Sequence, residues 1–344
     1  MTADGDGTAA RPGRDGALGA LRPAEPGVSV LVPVRNGMPY LPAQLDALGR
    51  QTYQGRWEII VSDNGSTDES VRAVRAAQAP VPLRIVDSRE APGRAGALAA
   101  AARAARGRLL LFCDADDIVA DDWVERMEAA LDRWPAVGGH LDEESLNAPP
   151  VLAWRPRATP GDLPCPFGLL PAPVGANCGV WREAYEEVGG FDDSFGGAAE
   201  ETDLFWRLQL AGYQLGYAPD AVVAYRHRPD LRSLLQQWRG YGRGRAHLLA
   251  RYQAVGLLPA ESWRDVVKTS GWLAVHAVDC LRGSARRGSY LRILAHVIGQ
   301  AEGSRAAGVL HIRRGSPAPG TVHRPPGLAG DAARATPDIH PVRR

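Results

Sequence analysis

The sequence predicts an α/β protein: a mainly parallel sheet flanked by helices, followed by a C-terminal helical extension. Three observations carry that prediction. Apolar runs of strand length alternate with segments of helical spacing from residue 28 onward. Three of those runs end in polar turns, "RNG" at 35–37, "DNGSTD" at 63–68 and "DADD" at 114–117. Beyond residue 230 only helical spacing remains. Alternating strands and helices give parallel strands joined by crossover helices, and ligands of such sheets bind beyond the carboxyl ends of the strands. All three polar turns fall on that edge.

The elements follow in order. "VSVLVPV" (28–34) is a β-branched run, and "YLPAQLDALGRQ" (40–51) shows helical spacing through Leu41, Leu45 and Leu48. "WEIIVSD" (57–63) is a second strand, and "DESVRAVRAAQ" a helix with Thr67 or Asp68 near its N-cap. "LRIVDS" (83–88) is a third strand, an Ala-rich helix spans 94–105, and "RLLLFCDA" is a buried strand. Its end is unusual: Asp114, Asp116 and Asp117 stand within four positions. Crowded carboxylates repel one another, so either a positive partner lies nearby or the cluster is solvated.

Of the 344 residues, 45% are hydrophobic and 23% charged, an ordinary globular composition. Forty basic against 39 acidic residues leave a net charge of +1, with no bulk electrostatic reason to expect nucleic acid as a partner. Lys268 is the only lysine, which excludes Schiff-base chemistry elsewhere in the chain. Cys113, Cys165, Cys178 and Cys280 form no CxxC pair and suggest neither zinc nor a disulfide framework. Residues 1–27 and 315–344, rich in Gly, Ala and Pro without periodicity, are expected to be disordered tails. The start lacks the apolar core of a signal peptide and no run is long enough to span a bilayer, so the expected location is cytoplasmic, with peripheral contact at the inner face of the membrane as an alternative.

Four segments in order, "VSVLVPVRNG", "IIVSDNGSTDES", "GRLLLFCDADD" and "GANCGVWREAYEEVGGFDDSFGGAAEETDLFWRLQLAG", resemble the family 2 glycosyltransferases, whose catalytic domain has the GT-A fold. The resemblance covers residues 28–230, leaving 231–314 as the helical region. It implies an inverting transfer from a nucleotide-diphosphate sugar to an acceptor hydroxyl of unknown class. It further implies a divalent cation, Mn2+ or Mg2+, on the DADD motif, with Asp116 the main ligand, Asp114 nearer the ribose, and His227 at a place where relatives set a further ligand or where a surface histidine stands. Asp63 matches the residue that contacts the base, with Pro33 and Arg35 lining its pocket. Glu201 matches the general base, a Glu where the family pattern has Asp, with Glu200 beside it. Asn177, Trp181 and Glu200 match sugar or acceptor contacts. One departure is clear: relatives carry an Arg-Asn pair at Leu98 and Ala99, so that role is lost or falls to Arg94.

In the C-terminal region "WRGYGRGR" interleaves aromatics with Arg239, Arg243 and Arg245, which either close over a diphosphate or form a solvated or lipid-facing surface. The amphipathic stretches 262–281 and 289–300 default to core packing, with peripheral membrane contact or homodimerisation as alternatives. Two rival functions are a sugar-1-phosphate nucleotidyltransferase, for which "VPVRNGMPYL" supplies no Gly-rich basic loop, and a non-catalytic nucleotide-sugar-binding protein on a degenerate transferase scaffold.

Overall fold

The computed structural model describes residues 26–155, 161–195, 198–259 and 263–306, so the expected tails lie outside the described residues except for Pro26 and Gly27. The chain runs β1 (Val28–Val34), α1 (Leu41–Gly49), β2 (Trp57–Asp63), α2 (Ser70–Ala76), β3 (Leu83–Asp87), α3 (Arg94–Ala104), β4 (Leu109–Cys113), β5 (Ile118–Val119), α4 (Trp123–Leu131), β6 (Ala136–Asp142), α5 (Pro149–Leu152), β7 (Asn177–Trp181), α6 (Arg182–Glu187), α7 (Glu200–Leu210), β8 (Leu215–Ala224), α8 (Leu231–Ala254), α9 (Trp263–Val275) and α10 (Ser284–Ala306).

The strands form one sheet in the order β3-β2-β1-β4-β7-β6-β8-β5. Its first half is parallel, β1 pairing with both β2 and β4, and β2 with β3. Beyond β4 the direction reverses. β7 runs antiparallel to β4 and β6, and β5 antiparallel to β8, while β6 and β8 are parallel.

Alternation along each strand builds two cores. Val28, Val30 and Val32 of β1, Ile59 and Val61 of β2, and Leu109 and Leu111 of β4 face one layer, packed on Leu41, Leu45 and Leu48 of α1 and Trp123 and Met127 of α4. Leu31, Ile60, Leu110 and Phe112 point the other way, onto Leu98 and Ala102 of α3 and Leu204, Phe205 and Trp206 of α7. Successive strand residues face opposite sides, so a strand apolar at every position must be covered on both. The second core also takes in Leu248, Leu249 and Tyr252 of α8, so the helical extension packs into the same core as the sheet.

α8 and α10 run side by side and approach closely through glycines. A Cβ on Gly242 would meet the backbone of Gly299 and Gln300, and one on Gly303 the backbone of Arg243. The Gly-rich "WRGYGRGR" therefore serves helix contact as well as charge. Among the described residues no helix is long and apolar enough to cross a membrane.

Candidate active site

The turns after β1 and β2 interlock. Asn36, with φ of 56°, accepts from the Thr67 N–H through its side-chain oxygen at 2.8 Å, and the Gly37 N–H donates to Ser70 Oγ at 2.8 Å. Asp63 is buried at the end of β2, and its Oδ1 accepts from the Ser66 N–H at 3.0 Å. Asn64 donates to the carbonyls of Ser88 and Ala91 and accepts from the Gly93 N–H, which fixes the loop leading into α3. Pro33 pairs in register with Ser62 beside this edge, and Arg35 is exposed.

Arg94, the first residue of α3, joins the two halves of the site. Its Nε and Nη2 donate to Asp114 Oδ1 at 2.9 and 2.8 Å, and its Nη1 donates to Glu200 Oε1 at 3.0 Å. Burial works against its charge, but Asp114, Glu200 and Glu201 outweigh that and hold the guanidinium firmly protonated. Arg228 does the same for Asp116, donating to Oδ2 at 2.6 Å. The positive charge that the DADD turn requires is thus present in the chain, from residues 20 and 112 positions away.

Asp117 is fully buried. Its Oδ1 accepts from the Arg226 N–H at 2.7 Å, whereas its Oδ2 has no hydrogen-bond partner among the described residues. Burial first, then Asp114 and Asp116, push its carboxyl well above the usual range; burial also raises Asp116, against the pull of Arg228. One carboxylate oxygen from each of Asp114, Asp116 and Asp117 lies within 4.8 Å of the others. Three hard oxygen donors and an orphaned buried carboxylate oxygen fit a divalent cation of the Mg2+ or Mn2+ kind. The cluster takes in Asp117 where the sequence pointed to His227. His227 is buried in a T-shaped contact with Tyr225, and its Nε2 lies 3.4 Å from Glu143 Oε1.

The opposite wall is the start of α7. Ala199 takes a left-handed conformation (φ 71°), turning the chain so that Glu200 and Glu201 enter the cleft on the first helical turn. Glu200 is buried and held by Arg94, and its Oε2 has no partner among the described residues. Glu201 is partly buried; burial and the neighbouring Glu200 raise its carboxyl to about 7, against the opposing pull of Arg94. Asp203 is occupied elsewhere. Fully buried, it pairs with Arg207 at 2.8 Å and Arg251 at 3.2 Å and accepts from Tyr252, which ties α7 to α8.

A cleft of about 1150 Å³ lies between these walls, lined by Arg94, Asp114, Glu201, Arg228 and, from α8, Tyr241 and Arg243. Arg243 also pairs with Glu302 of α10 at 3.2 Å. The extension is therefore the third wall of the site.

Two expected sugar contacts are corrected by the direction of β7. Because β7 is antiparallel to β4, its first residue lies opposite Cys113 at the DADD edge and its last, Trp181, opposite Leu109 at the far edge. There the Trp181 indole N–H donates to the Leu131 carbonyl at 2.8 Å, away from the cleft. Asn177 is at the correct edge but buried. Its amide donates to the carbonyls of His140 and Ala221 and accepts from the Trp123 indole, so its polar atoms are spent on cross-linking the core. Leu98 is likewise wholly buried in the second core.

Gln44 was missed. It is fully buried on α1, donates to the Asp114 carbonyl at 3.0 Å and accepts from the Val119 N–H at 3.1 Å, bracketing the acidic turn. The available signal was a glutamine on the apolar stripe of Leu41, Leu45 and Leu48.

Comparison with known proteins agrees with this geometry. The family model described as Glycosyl transferase family 2 matches residues 29–189, and that of Glycosyl transferase family group 2 matches residues 165–298. The chain belongs to glycosyltransferase family 2. It is a glycosyltransferase. Relatives of this transferase include the succinoglycan biosynthesis protein ExoA of Rhizobium meliloti, 25% identical over 71% of this chain and 82% of that protein. They also include the glycosyltransferase AglE of Haloferax volcanii, 27% identical over 73% and 81%. Among solved structures, the mannosyltransferase PcManGT of Pyrobaculum calidifontis, in complex with GDP-Man and Mn2+, superposes with a TM-score of 0.54 at 23% identity, covering 80% of this chain and 87% of its own. That likeness establishes the GT-A fold.

Proposed function

We propose that this transferase moves a sugar from a nucleotide-diphosphate donor to an acceptor hydroxyl with inversion, Glu201 acting as general base. The observation that carries the reading is the placing of two carboxylate groups with different tasks in one cleft. Asp114, the member of the Asp114–Asp116–Asp117 cluster that lines the cleft, lies on one wall and Glu201, raised to about 7, on the other. A base works best with a pKa near the operating pH. The nucleotide lies toward Pro33 and Asp63, and its diphosphate toward the acidic turn, where Asp114, Asp116 and Asp117 would hold a Mn2+ or Mg2+ ion. Bound there, such an ion supplies positive charge against the oxygens of the leaving diphosphate.

The chain's own residues do the rest. Arg94 and Arg228 keep the carboxylates from repelling one another, and Arg94 sets the distance between the donor side at Asp114 and the α7 turn. Arg243 on α8 faces the same cleft as a phosphate contact. The acceptor oxygen forms its bond to the anomeric carbon as the bond from that carbon to the diphosphate oxygen breaks, and the hydroxyl proton passes to Glu201. One in-line displacement inverts the centre, and the engagement of the neighbouring acids supports that reading: Arg94 holds Glu200 through Oε1, and Asp203 is taken up by Arg207, Arg251 and Tyr252.

Glu201→Gln tests this. An amide keeps the shape but cannot take the proton, so transfer should fall about 10²- to 10⁴-fold, while donor affinity measured by calorimetry stays within a factor of about two. Wild-type turnover in that variant, or a product of retained configuration by proton NMR, would refute the assignment.

A further inference from the structure

Among the described residues of the extension, α9 exposes an apolar side, while its larger apolar side chains Trp272 and Leu273 are part-buried. On α9, Val267, Gly271, Ala274 and Val275 recur at i, i+4, i+7 and i+8 and are all exposed, while Trp272 and His276 stack on each other, with Trp272 also against Tyr290 of α10. In a helix packed on a core the apolar stripe is the covered side. Val267 is 56% exposed and Val275 73%, and the single turn that follows adds Val278 at 43% and Leu281 at 83%. A Cβ on Gly271 or Gly283 would meet nothing.

The segment is basic in sequence: residues 263–288 contain five basic and two acidic residues. Lys268, Arg286 and Arg287 are exposed. An exposed helix with apolar residues on one side, cations at its margins and too little hydrophobic length to span a bilayer suits the interface of an anionic membrane. A second copy of the chain is disfavoured as the occupant, because the same cations would have to approach each other across a two-fold interface.

We propose that α9 and the turn 277–281 form a docking surface for an anionic lipid bilayer, with Val267, Val275, Val278 and Leu281 entering the interface and Lys268, Arg286 and Arg287 meeting the headgroups. The proposal is independent of the transfer mechanism. It also fixes orientation. In the first turns of α10, Gly288 lies against Trp154, which packs with Leu234 of α8, between Ser233 and Gln236 of the cleft lining. A docked molecule holds that end of the cleft toward the lipid.

The test is sedimentation of the full chain with vesicles of phosphatidylcholine alone and of equal parts phosphatidylcholine and phosphatidylglycerol, at low and high salt. Binding to the anionic vesicles only, weakened by salt, is the expected result. Lys268→Gln with Arg286→Gln should weaken it about 25-fold, about fivefold for each cation, and Leu281→Gln about tenfold or more. These positions are exposed, so melting temperature and transfer to a soluble acceptor should not move. Because Lys268 is the only lysine, acylation of its peptide by an amine reagent should be suppressed by anionic vesicles. The proposal is overturned by equal binding to both vesicle types, by none, by variants that bind like wild type, by undiminished Lys268 labelling, or by a patch-dependent dimer without vesicle binding.

Discussion

Replacing Gly244 tests whether α8 is a wall of the active site or an appendage. A Cβ at this position would lie 2.8 Å from the carbonyl carbon of Ala198 and 2.9 Å from its Cβ, and closer still to its oxygen. These are atoms of the turn that launches α7, so relief requires α8 to back away or the 198–199 turn to shift. Overpacking of this kind costs about 1–3 kcal/mol. Against it, Ala in a helix interior is about 1 kcal/mol better than Gly. Gly244→Ala should therefore lose about 0–2 kcal/mol net. Gly240 provides the control: it lies on the same helix, and a Cβ there meets nothing nearer than Arg243 Nη2 at 3.9 Å, so Gly240→Ala should gain about 1 kcal/mol. The difference between the two urea midpoints, converted with a common m-value, isolates the packing term. Turnover should divide the same way. Glu201 sits two residues past Ala199, and a displacement approaching 1 Å costs as much as about 10²-fold. Equal stability and equal turnover in the two variants would refute the reasoning.

Four further outcomes are expected. The rate of transfer should rise with pH through about 7, because Glu201 accepts a proton only when ionised, and that limb of a pH-rate profile should be absent in Glu201→Gln. Donor binding followed by calorimetry with UDP, GDP and dTDP should weaken when EDTA removes manganese, since Asp117 then keeps an orphaned buried oxygen; equal affinity for every nucleotide in both conditions would contradict the metal role of the triad. Gln44→Leu should cost about 1–3 kcal/mol by leaving the Asp114 carbonyl and the Val119 N–H unpaired, with a loss of donor affinity that a merely distant core change would not produce. Trp181→Phe should leave kcat and KM unchanged, because this side chain lies at the edge of the sheet away from the cleft.

How far the site could be read from sequence depended on the range of each interaction. Asp114 and Asp116 were legible because an apolar strand that stops in alternating carboxylates is a local pattern, although β4 ends at Cys113 and it is the turn beyond it, not strand alternation, that brings their carboxylates together. Glu201 was legible from its place in a family motif, but its raised pKa depends on burial in a cleft whose third wall begins 30 residues later. Trp181 was misplaced for a definite reason. The segment was read only as a family motif, and it is the strand within it, β7, and that strand's direction relative to β4 that decide which end meets the active edge. Asn177, at the correct end, proved to have its hydrogen-bonding capacity consumed inside the core.

By itself the sequence determined the local terms: strands apolar enough to be covered on both faces, polar turns at their carboxyl ends, an acidic cluster too dense to stand without positive charge, and the family to which these motifs belong. Only the tertiary structure decided what neutralises that cluster. Arg94 and Arg228 reach Asp114 and Asp116 across 20 and 112 residues, and Arg94 goes on to Glu200 across 106. It also decided that α8 closes the cleft and that α9 exposes Val267 and Val275. The physical reason is common to all of these. Periodicity and turn chemistry act between neighbours in the chain, whereas charge pairing and burial act between neighbours in space, and folding alone brings those together.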